Sequence, residues 1–306
     1  MNGVLIVDKP EGVTSHDVVR RVRRLAATRR VGHAGTLDPM ASGILPVAIG
    51  EGTRLVEFLM DGDKSYRTTL KLGEITDTQD AEGTVLERRA VGDLSVSEIA
   101  AVCASFTGDI DQIPPMYSAL KRDGVPLYRL ARQGVEVERQ ARRVRIARIE
   151  VIEVALPLVT LEVDCSKGTY IRTLGHDIGL ALGFGAHLCA LRRTRCGAFG
   201  EQDSLPLDRL EHDGIAGSSA FLSLEEALRN VPVAQLTAPA ASRLLDGVSP
   251  DESGLSAPPV WSEGALVALH YDGTLRAVTR YVPSRLEQGR SPFELLRVFT
   301  RGHRFD

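Results

Sequence analysis

The stretch VGHAGTLDPMASGIL, residues 31–45, constrains the fold of this chain more than any other segment. Three glycines and a proline in fifteen positions favour a loop over residues 32–43, and the glycines allow a bulky ligand to approach the backbone closely. Ser15 can cap a preceding helix over 16–28, and ILPVAIG after the loop has the apolar run of a buried strand. The loop therefore joins a helix to a strand and carries a single carboxylate, Asp38.

The rest of the first 231 residues alternates strand and helix signals. GVLIVDK, KSYRTTLKLG and GTVLERR read as strands, and residues 143–165 read as two strands broken near Pro157. Helical spacing of apolar residues predicts helices over about 53–60, 95–106, 125–133, 170–182 and 223–231. We expect an α+β fold with a mixed, largely antiparallel sheet flanked by helices and loops.

Pro232 marks a predicted boundary between residues 1–231 and a smaller C-terminal domain, residues 232–306. In that domain, APAASRLLDG predicts a short helix, and ALVALHYDGTLRAVTRYV predicts a hairpin whose turn is Asp272-Gly273. The expected C-terminal domain is β-rich.

Composition narrows the functional class. With 306 residues and 43% hydrophobic residues, the chain can bury a large core, and no apolar stretch approaches the roughly 20 residues of a membrane helix. Four irregularly spaced cysteines without a CxxC pair fit neither a disulfide framework nor a common zinc site. We expect a cytoplasmic protein with reduced thiols and no metal.

Arginine is clustered although the formal net charge is only −3. The clusters are Arg20, Arg21, Arg23, Arg24, Arg29 and Arg30; Arg139, Arg142, Arg143, Arg145 and Arg148; and Arg192, Arg193 and Arg195. Any one cluster is compatible with a solvated face. Three together favour basic surfaces for a nucleic acid, because the guanidinium binds phosphate through two parallel hydrogen bonds.

Nucleotide and dinucleotide fingerprints, GxSxG, HExxH and EF-hand loops are all absent. A carboxylate such as Asp38 can act without a metal if a nearby cation fixes its charge and geometry, and His33 and Arg172 are the candidates. On composition alone, a simple turn that starts at Asp38-Pro39 is the favoured interpretation. Tyr66 and Tyr170 lie beside basic residues, as expected for rings that stack on bases, but strand tyrosines also serve as core.

The chain resembles the bacterial tRNA pseudouridine-55 synthase family, also called the TruB family. LIVDKPEGVTSHDVV resembles its first motif, GHAGTLDPMASGILPVAIGEGTR its catalytic motif and KSYRTTLKLGEITDTQDAEG its tyrosine motif. PPMYSALKRDGVPLYRLARQG resembles its RNA-contacting insertion, and GTYIRTLGHDIGLALGFGAHLCALRRTRCGAF its arginine and leucine motifs. The five motifs occur in the family's order and cover most of residues 3–200.

The resemblance implies a pseudouridine synthase fold, an insertion at about 112–142 and a PUA-like C-terminal domain. It implies an isomerase without cofactor or metal, which flips uridine 55 of the tRNA T-loop and reattaches its uracil through C5. Asp38 matches the catalytic aspartate, Arg172 the arginine paired with it, and Tyr66 the tyrosine that stacks on the base. The resemblance further assigns to substrate binding His33, Tyr170, Leu191, Lys9 and Lys121.

The resemblance leaves three chemical routes open for Asp38: attack on C1′ of the ribose, attack on C6 of the base, or removal of the 2′ proton. The expected partner is tRNA, bound by a monomer with no membrane or protein partner. A protein that folds tRNA with an idle synthase site is the main alternative. A metal-dependent RNA hydrolase that uses His33 and Asp38 is a weaker one.

Overall fold

A computed structural model describes residues 1–118, 120–122 and 124–299. Residues 119 and 123 of the predicted insertion, and 300–306 of the predicted C-terminal domain, lie outside the described residues. The helices are α1 Ser15–Leu25, α2 Val56–Met60, α3 Val96–Ser105, α4 Leu127–Arg132, α5 Ile171–Ala181, α6 Leu207–Asp213, α7 Leu224–Ala227 and α8 Ala238–Leu245. Short 3-10 helices cover Gly50–Leu55, Glu201–Asp203, Glu252–Gly254 and Pro283–Gln288.

The strands, numbered in chain order, are β1 Gly3–Lys9, β2 Val31–His33, β3 Ala41–Ile49, β4 Lys64–Leu72, β5 Glu74–Thr76, β6 Val85–Arg88, β7 Gly108–Gln112, β8 Lys121–Arg122, β9 Val125–Pro126, β10 Arg142–Ala155, β11 Leu158–Cys165, β12 Ala186–Cys196, β13 Phe199–Gly200, β14 Leu205–Pro206, β15 Phe221–Leu222, β16 Val233–Gln235, β17 Leu266–Tyr271, β18 Thr274–Tyr281 and β19 Phe293–Val298.

One large sheet organises the chain, in the order β14-β1-β3-β12-β4-β11-β10-β7, with β2, β13 and β15 paired at its sides. Strand β12 pairs with β3 in parallel and β14 with β1 in parallel, whereas the other pairings of this sheet are antiparallel. The expected mixed, largely antiparallel sheet is therefore confirmed. Helices α1, α3 and α5 contact its strands.

The sheet buries a separate core on each side. Val18 and Val22 of α1 and Leu174 and Ile178 of α5 pack with sheet residues in one cluster. A second cluster joins Ile6 and Ile44 to Leu275 and Val278 of β18. Burial of apolar area stabilises the folded state by roughly 25 cal/mol per Å², so both clusters stabilise the packing of the strands. The second one fixes the C-terminal region against strands β1 and β3.

The helix before the glycine-rich segment is confirmed, but its cap was predicted one residue too late. Thr14 is the N-cap, and its side chain and that of Asp17 form a reciprocal capping box. Helix α1 ends at Leu25 rather than at residue 28, because Ala27 has a φ of +48°. The hydroxyl of Ser15 is thereby free for a contact described below.

The predicted loop over residues 32–43 is shorter in the structure. Gly32 and His33 belong to β2, and Ala41–Gly43 already pair as part of β3. The helix predicted over about 53–60 also begins later, because residues 50–55 form a 3-10 turn and α2 begins after Leu55. Helix α7 has only four residues.

The C-terminal region is β-rich, as predicted. Strands β16, β17, β18 and β19 form a sheet in that order, and α8 packs against it. The hairpin turn is confirmed, since Asp272 and Gly273 have φ angles of +51° and +70°, as a type I′ turn requires. Strand β19 had no clear alternation and was not predicted.

Candidate active site

A cavity of about 790 Å³ opens between the Asp38 segment, the inner face of β4 and β12, and the start of α5. It is lined by Asp38, Tyr66, Tyr170, Arg172, Leu191 and Arg193, among others. Residues from four distant parts of the sequence therefore meet in one place. Five of them are residues that the family resemblance assigned to catalysis or binding.

The backbone of the Asp38 segment is held from several sides. The Ser15 hydroxyl donates to the Leu37 carbonyl at 3.0 Å and accepts from the Leu37 amide at 2.8 Å. The Gly12 amide donates to the Pro39 carbonyl at 2.9 Å. A buried hydroxyl that makes both bonds fixes a short loop better than solvent contacts do. Sequence reasoning gave Ser15 only a capping role and missed this contact.

Gly43 allows the segment to rejoin the sheet closely. Its φ is +103°, and a Cβ there would lie 2.2 Å from the Arg193 carbonyl oxygen. Strand β12 pairs at this point with β3, Arg193 opposite Gly43. A side chain at position 43 would therefore displace the strand that carries Leu191 and Arg193.

Arg172 and Asp38 form an ion pair, as the resemblance implied. Nε of Arg172 lies 2.9 Å from Oδ2 of Asp38, and the two side chains are 4% and 37% exposed. Asp38 thus keeps an oxygen toward the cavity while its partner is buried.

The other nitrogens of Arg172 are occupied by different groups. Nη1 donates to the Thr78 carbonyl at 3.0 Å and to Oδ2 of Asp80 at 3.3 Å, and Nη2 donates to the Tyr117 carbonyl at 2.7 Å. The planar guanidinium is therefore fixed in orientation before any substrate binds.

Asp80 is a site residue that sequence reasoning missed. It is 4% exposed, and its Oδ1 accepts from the Thr78 hydroxyl at 2.6 Å and the Glu82 amide at 3.1 Å. The segment EITDTQDAEG was quoted above only as part of the tyrosine motif, with no role for Asp80. The signal that could have found it is the Thr78-Asp80 spacing, which is typical of a local side-chain turn.

The pKa of Asp38 is raised above that of a free carboxyl group. Burial is the largest cause, and the negative charge of Asp80 acts in the same direction. The positive charges of Arg172 and Lys9 oppose them. A carboxylate that is desolvated yet paired with a cation is a stronger base and nucleophile than one in water.

Tyr66 and Leu191 occupy the sheet floor of the cavity. Tyr66 is half-buried and lies opposite Arg193 in the pairing of β4 with β12, while Leu191 is 6% exposed. Burial raises the pKa of Tyr66 to about 12, although the positive charge of Arg193 lowers it. The Tyr66 hydroxyl is therefore protonated at neutral pH.

Tyr170 precedes α5 and is held through its backbone. The Gln112 side chain accepts from the Tyr170 amide at 2.8 Å and donates to its carbonyl at 3.1 Å. Gln112 itself is 2% exposed. This contact sets the start of the helix that presents Arg172.

The structure does not bring three of the expected binding residues to the cavity wall. Lys9 is fully buried, and its ammonium donates to the carbonyls of Pro10, Val13 and Pro39 at 2.9, 2.7 and 3.4 Å. These bonds tie the ammonium to the Asp38 segment, and the expected substrate contact of Lys9 stays a prediction.

His33 and Lys121 lie elsewhere. His33 ends β2 opposite Val47, and burial, together with the charges of Arg193 and His16, lowers its pKa. Lys121 is exposed in the small β8–β9 hairpin. Neither lines the Asp38 cavity, so their assignment to substrate binding stays a prediction.

The three arginines of the third cluster do not share one surface. Arg192 and Arg193 are consecutive residues of strand β12, so their side chains point to opposite faces of the sheet. Arg192 forms ion pairs with Asp8 and Glu201, at 2.9 and 2.7 Å. Arg193 is 1% exposed. The side chain of Arg195 is 42% exposed and lies 3.8 Å from Asp164. Clustering in the sequence therefore does not report which side of the sheet each arginine faces.

In the described parts of the chain, no group of three or more His, Cys, Asp or Glu residues could hold a metal ion. Among the same residues, no helix combines the length and apolar character needed to cross a membrane. The four cysteines are free thiols.

Known proteins resemble this chain over nearly its whole length. Residues 23–171 match the TruB family pseudouridylate synthase N-terminal domain, and residues 172–231 match the tRNA pseudouridylate synthase B C-terminal domain. The tRNA pseudouridine synthase B of Syntrophotalea carbinolica is 49% identical over 99% of both chains. That of Geobacter sulfurreducens is 44% identical over 98% of this chain and 100% of the relative.

Two solved structures share the fold. A chain in the crystal structure of a Cbf5-Nop10-Gar1 complex has a TM-score of 0.75 and 31% identity, covering 97% of this chain and 84% of that one. A chain of an H/ACA RNP bound to a substrate RNA containing 2′-deoxyuridine has a TM-score of 0.74 and 29% identity, with coverage of 97% and 84%. With the Asp38–Arg172 pair facing a cavity floored by Tyr66, these matches lead to one conclusion: the chain belongs to the TruB family of pseudouridylate synthases.

Proposed function

We propose that this protein isomerises uridine 55 in the T-loop of tRNA to pseudouridine, with Asp38 as its essential carboxylate. The observation that carries the proposal is the Asp38–Arg172 ion pair, in which a 4% exposed cation fixes a 37% exposed carboxylate at the wall of the cavity. The names of its relatives, which are tRNA pseudouridine synthases, support tRNA as the substrate.

The target base must leave the T-loop stack to reach Asp38, at a cost of a few kcal/mol. A cavity of about 790 Å³ accommodates a flipped nucleotide, and the Tyr66 ring offers a face for the uracil to stack on. Stacking of this kind is worth roughly 1–3 kcal/mol and offsets part of the cost.

Asp38 reacts in its ionised form in each of the three routes: attack on C1′, attack on C6, or removal of the 2′ proton. Arg172 favours that form by its charge and holds the carboxylate in one orientation. Isomerisation moves the uracil from N1 to C5 without net oxidation or hydrolysis. The net reaction consumes no reductant, no nucleotide and no water molecule.

We further propose that residues 232–306 and the insertion at about 112–142 extend the RNA-binding surface around the cavity. In support, Arg142 of the insertion lines the cavity, and Arg297 of β19 forms an ion pair of 2.6 Å with Glu57, another lining residue. The C-terminal sheet thus touches the rim of the Asp38 cavity.

The test uses an unmodified tRNA transcript that carries tritium at C5 of its uridines, beside a transcript with U55 replaced by C. Formation of pseudouridine releases the C5 tritium to water, so we expect release from the first transcript and none from the second. Equal release from both would refute the assignment to position 55. Tight binding without release from either would instead support the tRNA-folding alternative, and EDTA-sensitive strand cleavage the hydrolase.

A further inference from the structure

Arg193 is a buried cation that forms no ion pair with a carboxylate in the described part of the chain. It is 1% exposed and lines the Asp38 cavity. Across residues 1–118, 120–122 and 124–299, no carboxylate oxygen lies within 4.0 Å of its guanidinium, whereas Arg172 has two carboxylate partners. Burying an unpaired charge is costly, so the contacts of Arg193 must offset the lost hydration of its guanidinium.

Backbone carbonyls take the place of a counter-ion. Nε of Arg193 donates to the Ile44 carbonyl at 2.7 Å, Nη2 to that of Gly35 at 3.1 Å, and Nη1 to that of Thr36 at 3.4 Å. Gly35 and Thr36 precede Asp38, and Ile44 follows it. One guanidinium therefore ties together both ends of the segment that carries the reactive carboxylate.

These carbonyls accept hydrogen bonds from the guanidinium of Arg193, but as neutral groups they do not cancel its positive charge. The surrounding groups respond to that charge: it lowers the pKa values of Lys9, His33, Lys64 and Tyr66. Tyr66 and Arg193 are partners in the register of β4 and β12. The positive charge of Arg193 therefore lies beside Tyr66 in the cavity wall.

The proposed reaction places negative charge on the uracil. When the N1–C1′ bond breaks, its electron pair stays on the ring and spreads over N1, O2 and O4. The pair then forms the C5–C1′ bond, the C5 proton leaves to solvent, and N1 takes a proton from solvent. Attack of Asp38 on C6 would likewise place an electron pair on the ring. All three routes therefore pass through an anionic pyrimidine.

We propose that Arg193 is a positioning residue whose uncompensated charge stabilises the anionic uracil at the Tyr66 end of the cavity, in addition to clamping the Asp38 segment. This inference rests on the proposed function, since it needs a reaction in which the base carries charge. Preorganised charge in a water-excluded site acts on the transition state without reorganisation at the moment of reaction.

Two variants separate charge from the clamp. Arg193→Gln keeps hydrogen-bond donors but removes the charge, and Arg193→Lys keeps the charge but loses the planar fork. In single-turnover tritium release we expect Arg193→Gln to be slower by about 100-fold and Arg193→Lys by no more than about 10-fold, with tRNA affinity within a few-fold for both. Equal losses in the two variants, or a Gln variant within a few-fold of wild type, would overturn the proposal.

A second measurement does not depend on activity. The pKa of His33, followed by NMR of the imidazole with His33→Gln for assignment, should rise in Arg193→Gln and stay near the wild-type value in Arg193→Lys. An unchanged value in both variants would contradict an uncompensated charge. If Arg193→Gln does not fold, Arg193→Lys decides alone: a folded Lys variant slowed by more than about 100-fold overturns the proposal.

Failure of the proposed function remains distinguishable, because it would appear as absence of tritium release from the wild-type protein. Failure of the inference requires a wild-type protein that is active.

Discussion

On the cavity side of the large sheet, Arg172 and Arg193 are 4% and 1% exposed, whereas on the opposite side Arg67 and Arg148 keep 57% and 47% of their side chains exposed. The outer arginines form a lattice of ion pairs, Arg67 with Glu162 at 2.7 Å and Arg148 with Asp164 at 2.9 Å. Exposed ion pairs contribute little to stability. A buried charge, in contrast, needs hydrogen bonds or an opposite charge close by to offset its lost hydration. The same residue type is thus exposed and ion-paired on one face, and buried beside the Asp38 cavity on the other.

This difference predicts the largest effect for Arg172→Lys. Lysine cannot keep the Asp38 contact together with the bonds to Thr78, Asp80 and Tyr117, so turnover should fall by about 100-fold or more. Single-turnover tritium release measures the rate, and filter binding should show tRNA affinity within a few-fold of wild type. Arg67→Lys, on the outer face, is the matched control and should react at the wild-type rate. Near-normal turnover by Arg172→Lys would remove Arg172 from the mechanism.

Tyr66→Phe sharpens the comparison within the cavity. The ring face is preserved, so tRNA affinity should stay within a few-fold, while any proton transfer through the hydroxyl is lost. Such a transfer is worth about 100-fold or more in rate, and we expect a loss of this size in single-turnover tritium release. Unchanged kinetics would limit Tyr66 to stacking.

Asp80→Asn tests the electrostatics of Asp38 directly. The wild-type rate should fall on acidification through the raised pKa of Asp38, because the protonated carboxyl group is inactive. Since the charge of Asp80 raises that pKa, the acid limb should move to lower pH in Asp80→Asn. We also expect a loss of about 10-fold in the plateau rate, because Arg172 loses one anchor.

The measurement for Asp80→Asn is a pH profile of single-turnover rates at saturating enzyme, with tRNA binding followed over the same range. Asp63→Asn, an exposed carboxylate outside the cavity lining, is the control and should leave the acid limb in place. An acid limb at the same pH in wild type and Asp80→Asn would show that Asp80 does not act on Asp38.

The smallest effect is expected on the outer face, for Glu162→Gln. This substitution removes the carboxylate that pairs with Arg67 and Arg148, and the side chains of both arginines are well exposed. Turnover should be unchanged, and the free energy of unfolding should fall by less than about 1 kcal/mol in urea denaturation. A loss of activity would show that the two faces are coupled.

Much of the fold was predictable from sequence because its signals are local. Strand β1, helix α3 with its Ser95 cap, and the Asp272-Gly273 hairpin follow from periodicity and turn chemistry. Strand β12, at the centre of the sheet, was not predicted: its residues AHLCALRRTRC alternate poorly because Arg193 is buried where an apolar residue would be expected.

The site was only partly predictable for the same reason. Asp38 and Arg172 were found through a family resemblance, since their pairing joins residues far apart in sequence that no local pattern connects. Asp80 and Ser15 were missed because their roles arise from packing of the 76–80 and 35–39 segments against distant elements. The burial of Lys9 was not predicted, because burial of a lysine cannot be read from its neighbours in sequence.

The central claim is that Asp38 is the essential carboxylate, and Asp38→Asn tests it most directly. The change preserves size and hydrogen-bonding capacity but removes the charge. With the C5-tritiated tRNA transcript under single-turnover conditions, we predict no release above background, together with tRNA affinity within a few-fold of wild type. Measurable turnover by a pure Asp38→Asn protein, verified by mass spectrometry as free of deamidation to aspartate, would contradict the account.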